Sequence, residues 1–263
     1  TGIYGGNVTL NNNSETSAGN GGIGVYSKGG TVDIKENAKI SVGDTLGDKQ
    51  EGVGVYLAGN NQTLNSDTDN LTIGKGSFGY VMTGQGNTVR TGKAGTTRKI
   101  TLTHNSIFMY SADRTGSIEN RTRLTSTGSK NYGIYAAGTA TNLGNINYGS
   151  GVGNVGVYSI AGGNATNGTT TIRPTIRVSK SDTVNKLYGI GMAAGYTDDN
   201  GVTHQTGTIT NYGTIKVEKD NGIGMYATGS GSKAINHGDI ELSGKGTTGM
   251  YLDNNAIGEN YGT

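Results

Sequence analysis

The stretch Gly222–Gly229, GIGMYATG, recurs in altered form along the whole chain. Its relatives are GIGVYSKG from Gly22, GVGVYLAG from Gly52, YGIYAAG from Tyr132, VGVYSIAG from Val155 and TGMYLD from Thr248. A short unit repeated from one end of a sequence to the other indicates stacked structural repeats. Each repeat then buries its apolar residues against its neighbours, and no single large core is needed.

The composition agrees with a thin core. Of the 263 residues, 49 are glycine, and only 32% of the chain is hydrophobic, whereas about half of an ordinary domain is apolar. Disorder is the alternative for such a chain, but disordered segments usually carry high net charge and few aromatic residues. Here the net charge is +2 and 15 tyrosines recur in register, which favours an elongated folded protein.

The tyrosines set the length of the repeat. Aligning the quoted stretches gives tyrosine anchors 22 to 34 residues apart, with Val81 (in GYVMTG) and Met192 (in GIGMAAG) expected in the same slot of two degenerate copies. The anchors are Tyr4, Tyr26, Tyr56, Tyr110, Tyr135, Tyr158, Tyr226 and Tyr251. A period in the twenties with variable insertions is typical of a solenoid whose loops vary while its regular elements are kept.

The segments between anchors read as strands. TIKVE from Thr214 and KITLTH from Lys99 alternate with period two, and neither shows helical spacing. A recurring Asn-x-Gly-x-Ile element, as in NYGTI from Asn211 and NHGDI from Asn236, separates them, and we expect it to form tight corners in left-handed backbone geometry. The sequence therefore predicts an all-β fold, a right-handed parallel β-helix with three sheets and about ten coils. The hexapeptides of left-handed β-helices and the GGxGxD repeats of calcium-binding β-rolls are absent.

Strict alternation predicts which side chains face inward. Ile223, Met225 and Ala227 should line the interior, while Gly224 and Tyr226 face out and the ring covers the glycine backbone. In SIFMYSAD, Phe108 replaces that glycine and should make the outer face locally more apolar. The expected outward aromatic ladder comprises Tyr26, Tyr56, Tyr110, Tyr135, Tyr158, Tyr226 and Tyr251.

Motifs of catalysis or cofactor binding are weak in this sequence. GxGxxG occurs three times, but no helix is predicted after any copy, as a dinucleotide site would require. The three histidines are isolated, and the acidic pairs Asp67/Asp69 and Asp198/Asp199 fit turns better than a calcium site or a glycosidase carboxylate pair. We therefore expect no catalytic residue, no metal ligand and no cofactor.

The charges are segregated along the chain. Residues 33–69 carry seven acids against three lysines, and residues 90–130 are strongly basic. Solvated strand faces would explain this pattern, and a patch for an anionic partner, such as a glycan or an acidic protein surface, is the alternative. No basic-aromatic module for nucleic acid is present. The candidate ligand-binding residues are Arg90, Lys93, Arg98, Lys99, Arg121 and Arg123.

Three segments are longer than a corner requires. Residues 90–99, 162–175 and 195–207 are expected to be inserted loops on a single β-helical domain spanning 1–263, and the Asn-Gly pair in the last of them predicts a protruding hairpin. Binding residues usually lie on such loops, since the scaffold beneath them is rigid. Tolerated insertions without a role are the alternative.

GIGVY, GVGVY, GIGMYA and TGMYL, alternating with the Asn-x-Gly-x-Ile corners, resemble the passenger repeats of large type V autotransporter adhesins. The resemblance covers nearly the whole chain and is strongest to the fusobacterial outer-membrane autotransporters, which mediate coaggregation and host-cell attachment. It implies a longer parent with a signal peptide, an extracellular passenger on the bacterial surface and a C-terminal membrane barrel. Both chain ends fall inside a repeat, so we expect a fragment of that parent which does not itself insert into a membrane.

Three functions are compatible with the sequence. The first is a non-enzymatic adhesin segment that contacts a host-cell or bacterial receptor, either protein or glycan. The second is a structural stalk whose parent binds elsewhere. The third is a carbohydrate-active β-helix enzyme, which would need at least three acidic or basic side chains to converge in a lateral groove.

Overall fold

The computed structural model describes residues 1–47, 50–93, 95 and 99–263, and every regular element in these residues is a strand. In chain order the first strands are β1 (Ile3–Gly5), β2 (Val8–Leu10), β3 (Glu15–Ala18), β4 (Ile23–Ser27), β5 (Thr31–Ile34), β6 (Lys39–Val42), β7 (Val53–Leu57), β8 (Thr63–Ser66), β9 (Leu71–Ile73) and β10 (Phe78–Met82). Next come β11 (Thr88–Thr91), β12 (Lys99–Leu102), β13 (Ile107–Ser111), β14 (Ser117–Asn120), β15 (Arg123–Ser126), β16 (Tyr132–Ala136), β17 (Thr139–Asn142), β18 (Ile146–Asn147), β19 (Val155–Ser159) and β20 (Gly163–Asn167). The last are β21 (Thr175–Arg177), β22 (Ile190–Ala194), β23 (Tyr196–Thr197), β24 (Thr203–Gln205), β25 (Gly207–Asn211), β26 (Thr214–Val217), β27 (Ile223–Thr228), β28 (Lys233–Asn236), β29 (Asp239–Leu242), β30 (Thr248–Asp253) and β31 (Ile257–Asn260).

The strands stack into three long faces. Sheet 1 has ten strands in the order β1-β4-β7-β10-β13-β16-β19-β22-β27-β30, and sheet 2 has ten in the order β2-β5-β8-β11-β14-β17-β20-β25-β28-β31. Sheet 3 is in two parts, β3-β6-β9 and β12-β15-β18-β21-β26-β29. Each strand pairs in parallel with its equivalent one coil away, and among the described strands only β23 and β24 pair antiparallel. The predicted fold, a right-handed parallel β-helix of three sheets, is confirmed.

The core is a narrow column of stacked side chains. Met192, Met225 and Met250 occupy equivalent positions in three successive coils, and the first two are fully buried. Ala194 and Ala227 stack in the same way. The inward orientation predicted for Met225 and Ala227 is therefore confirmed, and the column extends along the coils as one continuous cluster.

The orientation predicted for Gly224 and Ile223 is wrong. A Cβ atom on Gly224 would lie 3.0 Å from Cγ2 of Ile240 and 2.6 Å from the carbonyl oxygen of Gly249, so this position faces the core. Ile223 is instead half-buried on the outer side, on the same face as Tyr226. Two consecutive residues, Gly224 and Met225, thus point inward, and alternation breaks at the glycine.

The same break explains Phe108. Phe108 stands at the glycine position of its coil and is fully buried, with its ring edge-on to that of Tyr80 at 5.4 Å. The predicted apolar patch on the outer face at Phe108 is therefore wrong. The prediction that Met192 occupies the tyrosine position of the GIGMAAG copy is also wrong. Ala193 is the residue in register with Tyr158 and Tyr226.

The Asn-x-Gly corners have a different basis from the one predicted. Asn142, Asn211 and Asn236 are not among the residues with positive φ, and neither is Gly213 or Gly238. The expected left-handed geometry is therefore wrong. The glycine is required because the neighbouring coil approaches closely: a Cβ atom on Gly213 would lie 2.1 Å from the carbonyl oxygen of Pro174.

Asparagines at the last position of six sheet 2 strands, among them the Asn-x-Gly corner residues, form a ladder that is buried except at Asn260. Each side-chain amide donates to the side-chain oxygen of the next, over 2.8 to 2.9 Å. The ladder residues are Asn120, Asn142, Asn167, Asn211, Asn236 and Asn260. Because a buried amide without a partner is costly, the ladder fixes the stacking register of the coils.

The inserted segments differ from one another. Residues 195–207 form a hairpin in which β23 and β24 pair antiparallel. The segment 162–175 is shorter as a loop than expected, since Gly163–Asn167 is a strand of sheet 2 and only 168–174 lie between strands. Residues 178–189, between β21 and β22, form a further insertion, closed by an antiparallel bridge between Asp182 and Leu187. Of 90–99, only 90–93, 95 and 99 are described.

Candidate functional site

Tyrosines line the outer face of sheet 1, one per coil in most coils. Parallel pairing brings equivalent residues of adjacent coils together on one face, and their rings stack along the rod. At the first coils the rings are nearly parallel: Tyr4 and Tyr26 have centroids 5.5 Å apart at 6°, and Tyr26 and Tyr56 are 5.2 Å apart at 7°. Tyr110–Tyr135 and Tyr226–Tyr251 are also stacked, at 27° and 26°, whereas Tyr135 and Tyr158 meet edge to face at 78°.

Burial raises the pKa of three ladder tyrosines, Tyr135, Tyr158 and Tyr226. A tyrosine hydroxyl is protonated at neutral pH in any case, and the raised pKa keeps these three able to donate hydrogen bonds at alkaline pH as well. Tyr158 uses its hydroxyl in this way, donating to the carbonyl oxygen of Gly195 at 2.7 Å. That bond ties the base of the hairpin to the tyrosine ladder.

The ladder is interrupted at two coils. Val81 stands between Tyr56 and Tyr110, and Ala193 stands between Tyr158 and Tyr226. A pocket lies beside the first gap, with a volume of about 360 Å³. It is lined mainly by apolar and aromatic side chains: Glu51, Val53, Tyr56, Phe78, Val81 and Tyr110.

A larger cleft, here called the hairpin cleft, lies beside the second gap and has a volume of about 820 Å³. Its floor is the outer face of sheet 1, where Ile223, Tyr226 and Tyr251 lie. One wall is the 178–189 insertion with Lys186 and Tyr188, and the other is the hairpin turn 197–201. Asp253 and Asn254 complete the lining at the end of β30. Sequence reasoning missed this cleft, although the longest anchor intervals fall here.

The hairpin is held against the coils by hydrogen bonds between side chains. The hydroxyl of Thr228 donates to Oγ1 of Thr197 at 3.0 Å, and Nδ2 of Asn254 donates to Oγ1 of Thr228 at 3.2 Å. These contacts join β27, the hairpin and the turn after β30. The cleft is therefore bounded by elements that are fixed to one another.

Two of the cleft acids are engaged locally. The carboxylate of Asp198 accepts hydrogen bonds from the backbone N–H of Asn200 at 2.9 Å and of Val202 at 3.0 Å, and lies 2.8 Å from Nε2 of His204. The contact with His204 and these backbone bonds hold the pKa of Asp198 below its usual value. Asp199 pairs with Lys186 at 3.7 Å. Asp198 thus shows the turn chemistry expected of the pair, whereas Asp199 contacts the 178–189 insertion instead.

The basic candidates are partly neutralised by the acidic segment that precedes them. Arg90 pairs with Asp67 at 2.9 Å, and Lys93 lies 3.4 Å from Glu36. Arg121 contacts Glu119 of its own coil at 2.6 Å. Two basic residues, Arg90 and Lys93, are therefore paired with acids of the preceding segment on stacked coils.

A shallow basic groove of about 350 Å³ remains, and Lys93, Arg121 and Arg123 meet there beside Ile172. Lys99 is paired in register with Arg123 on the adjacent strand of sheet 3. No carboxylate in the described part of the chain forms an ion pair with either Lys99 or Arg123. Arg98 lies outside the described residues.

The histidines are separate from one another. His237 stacks between Tyr212 and Tyr261, with centroids 5.0 and 4.9 Å away, and His204 belongs to the hairpin. Within the described ranges, no three histidine, cysteine or acidic side chains are grouped so that they could hold a metal ion. No helix in those ranges is long and apolar enough to span a membrane.

The fold and its outer face define a β-helical repeat domain of the pectate lyase-like class. The model of one family, the BigA third pectate lyase-like domain, matches residues 3–263, and the chain belongs to this family. BigA is an autotransporter-like adhesin, and pectate lyase-like describes a relation of fold. No curated protein and no solved structure matches the chain.

Proposed function

We propose that this chain is a non-enzymatic segment of a bacterial surface adhesin that contributes to attachment to host cells or other bacteria. The hairpin cleft carries the proposal, because it is a pre-formed concavity on the outer face of a domain from an adhesin family. Binding sites of this kind combine apolar and aromatic walls with a few polar groups. Tyrosine, which recurs along this face, is also enriched among residues that dominate binding energy.

We further propose that the parent protein is an autotransporter anchored in the outer membrane. The repeats GIGVY, GVGVY and GIGMYA support a parent of the fusobacterial outer-membrane type, with the chain outside the cell and roles in coaggregation and virulence. The partner is a receptor on a host or bacterial surface, and neither nucleic acid nor a lipid bilayer is involved. The basic groove formed by Lys93, Arg121 and Arg123 is a second contact surface suited to anionic groups.

Bead attachment tests this function. Microspheres coated with the chain should adhere to epithelial cells or to partner bacteria, while spheres coated with an unrelated β-helical protein should not. The variant Lys93→Glu/Arg123→Glu should reduce adhesion if the basic groove contributes. Lys233→Glu/Lys245→Glu changes the net charge equally at exposed sites elsewhere and serves as its control. Absence of adhesion by the unaltered chain would favour a purely structural stalk.

A carbohydrate-active enzyme is the competing function, because Asp198, Asp199 and Asp253 all line the hairpin cleft. Glycoside hydrolysis requires one carboxyl group with a raised pKa as the acid. The pKa of Asp198 is lowered by its contact with His204 and by backbone N–H donors, and this opposes that role. Incubation with polygalacturonate and with cell-surface polysaccharides, followed by measurement of new reducing ends, separates the two functions. Turnover abolished by Asp253→Asn would favour the enzyme.

A further inference from the structure

We propose that the hairpin cleft binds a neutral saccharide, with Tyr226 and Tyr251 as its stacking platform. This inference rests on the proposed attachment function and names the ligand class of one site. The volume of about 820 Å³ falls in the range of about 300–1,000 Å³ that is usual for small-molecule sites. The cleft can therefore hold a short oligosaccharide.

Aromatic rings at the floor of the cleft suit a sugar ring. The rings of Tyr226 and Tyr251 are stacked, with centroids 5.8 Å apart at an interplanar angle of 26°, so the face of each ring that does not meet the other is the one that a sugar can contact. Tyr188, on the wall formed by the 178–189 insertion, is 42% exposed. The face of an aromatic ring carries partial negative charge and attracts the slightly positive C–H groups that cover one side of a pyranose.

The polar groups around this floor suit hydroxyls. Asn200 projects from the hairpin turn, and its side-chain amide forms no hydrogen bond with any residue that the structure describes. Asp253 accepts one bond, from the backbone N–H of Asn254 at 2.8 Å, through Oδ1. An amide offers both a donor and an acceptor, and a carboxylate offers only acceptors. Sugar hydroxyls, which both donate and accept, can satisfy both groups.

The charges favour a neutral ligand over a charged one. Asp198 is occupied by His204 and two backbone N–H groups, and Asp199 is paired with Lys186. Asp253 is thus the one cleft carboxylate that forms no ion pair within the described ranges. An anion such as a sialylated glycan would meet three carboxylates and a single lysine. A cationic ligand would meet a single carboxylate without an ion pair in the described residues, that of Asp253.

Two measurements test the proposal. The chain is applied to an array that carries neutral, sialylated and sulfated oligosaccharides. Saturation-transfer NMR is then recorded with glucose, galactose, mannose, N-acetylglucosamine and N-acetylgalactosamine at millimolar concentration. We expect binding to at least one neutral saccharide on both assays. Binding only to charged glycans, or no saturation transfer from any of the five sugars, would overturn the proposal.

Variants of the lining residues test whether the neutral sugar binds in the hairpin cleft. Tyr251→Ala should weaken the binding of the neutral sugar at least about tenfold, equivalent to about 1.4 kcal/mol, while Tyr251→Phe, which keeps the ring, should stay close to the unaltered chain. Tyr26→Ala, a ladder tyrosine far from the cleft, is the matched control. Asn200→Ala lies on an exposed turn outside the coils, so it gives an independent readout if Tyr251→Ala does not fold. Equal affinity in Tyr251→Ala or Asn200→Ala and in Tyr26→Ala would contradict the site.

These results are separable from those on attachment. If coated beads adhere to cells but Tyr251→Ala beads adhere equally well and no neutral sugar binds, the saccharide site is wrong and the attachment function stands. If a neutral sugar binds but beads do not adhere, the cleft is a saccharide site and the attachment function fails.

Discussion

The side-chain amide of Asn142 donates to Oδ1 of Asn167, one coil away, at 2.9 Å, and both side chains are fully buried. The side-chain amide of Asn167 in turn donates to Oδ1 of Asn211, also at 2.9 Å. Each asparagine therefore bonds the one before it and the one after it, and removal of Asn167 takes one hydrogen bond from each neighbour. Asn142 still donates to the carbonyl oxygen of Gly144, and Asn211 still accepts from the backbone N–H of Gly213.

Asn167→Ala should destabilise the chain by about 1–3 kcal/mol, because two buried hydrogen bonds are lost and each contributes about 0.5–1.5 kcal/mol. The loss would be measured as a lower urea midpoint. Thr166→Ala, the adjacent residue with a half-buried side chain on the outer face, should change stability by less than about 1 kcal/mol. Equal effects of the two substitutions would show that the ladder does not stabilise the coils.

Gly224→Ala should destabilise the chain by about 1–3 kcal/mol, the usual range for overpacking a core. The added Cβ would lie 2.6 Å from the carbonyl oxygen of Gly249 and 3.0 Å from Cγ2 of Ile240. Gly19→Ala is the control, because no atom lies within 4 Å of its new methyl group. A thermal midpoint for Gly224→Ala equal to that of Gly19→Ala would mean that this glycine does not face the core.

The two phenylalanines of the chain lie on opposite sides of sheet 1. Phe108 is fully buried against Tyr80, whereas Phe78 is half-buried on the outer face near Tyr110. Phe108→Ala should cost about 3–5 kcal/mol through lost burial and the cavity left behind, and Phe78→Ala should cost clearly less. Calorimetric unfolding of both variants checks this order, and the reverse order would contradict the orientation of Phe108.

The lowered pKa of Asp113 predicts that the stability of the fold depends on pH. Burial alone raises the pKa of this carboxyl, but hydrogen bonds from the backbone of Asn87 and from the backbone and hydroxyl of Thr115 outweigh that effect and lower it. A lowered folded-state pKa stabilises the fold at pH values above the ordinary aspartate pKa of about 3.9, and the stabilisation is lost as the pH falls through the folded-state value.

Asp113→Asn should therefore be less stable than the unaltered chain at pH 7, by about 2–4 kcal/mol, because its amide would face N–H donors. The difference should shrink below about pH 4. Thermal midpoints from pH 7 to pH 2.5 measure it, with Asp199→Asn, on the exposed hairpin turn, as the control. A difference that is constant over this range would show that ionised Asp113 contributes nothing.

The fold was predictable because its signal is repeated in most coils. An aliphatic residue or methionine directly before a tyrosine, with alternating segments between the copies, indicates a parallel stack. Strict alternation nevertheless gave the wrong orientation for Gly224, Ile223 and Phe108, since two consecutive residues face inward at the glycine. Period-two reasoning cannot locate such a break.

The asparagine ladder and the hairpin cleft were missed for different reasons. The ladder had a signal, since the same asparagine precedes x-Gly in NLGNI, NYGTI and NHGDI, but asparagine and glycine side by side also fit a left-handed turn. The only sign of the cleft in the sequence was the long spacing between the anchor residues Tyr158, Met192 and Tyr226. Its lining residues extend from Lys186 to Asn254 and meet only because three coils and two insertions are stacked.

The adhesin function requires the outer surface of this rod to bind a receptor. The most direct test is the equilibrium binding of the fluorescently labelled chain to epithelial cells or partner bacteria, with unlabelled chain as competitor. We predict a curve that reaches a plateau and is displaced by excess unlabelled chain. A linear curve that unlabelled chain does not displace would contradict the claim and leave the chain as a spacer.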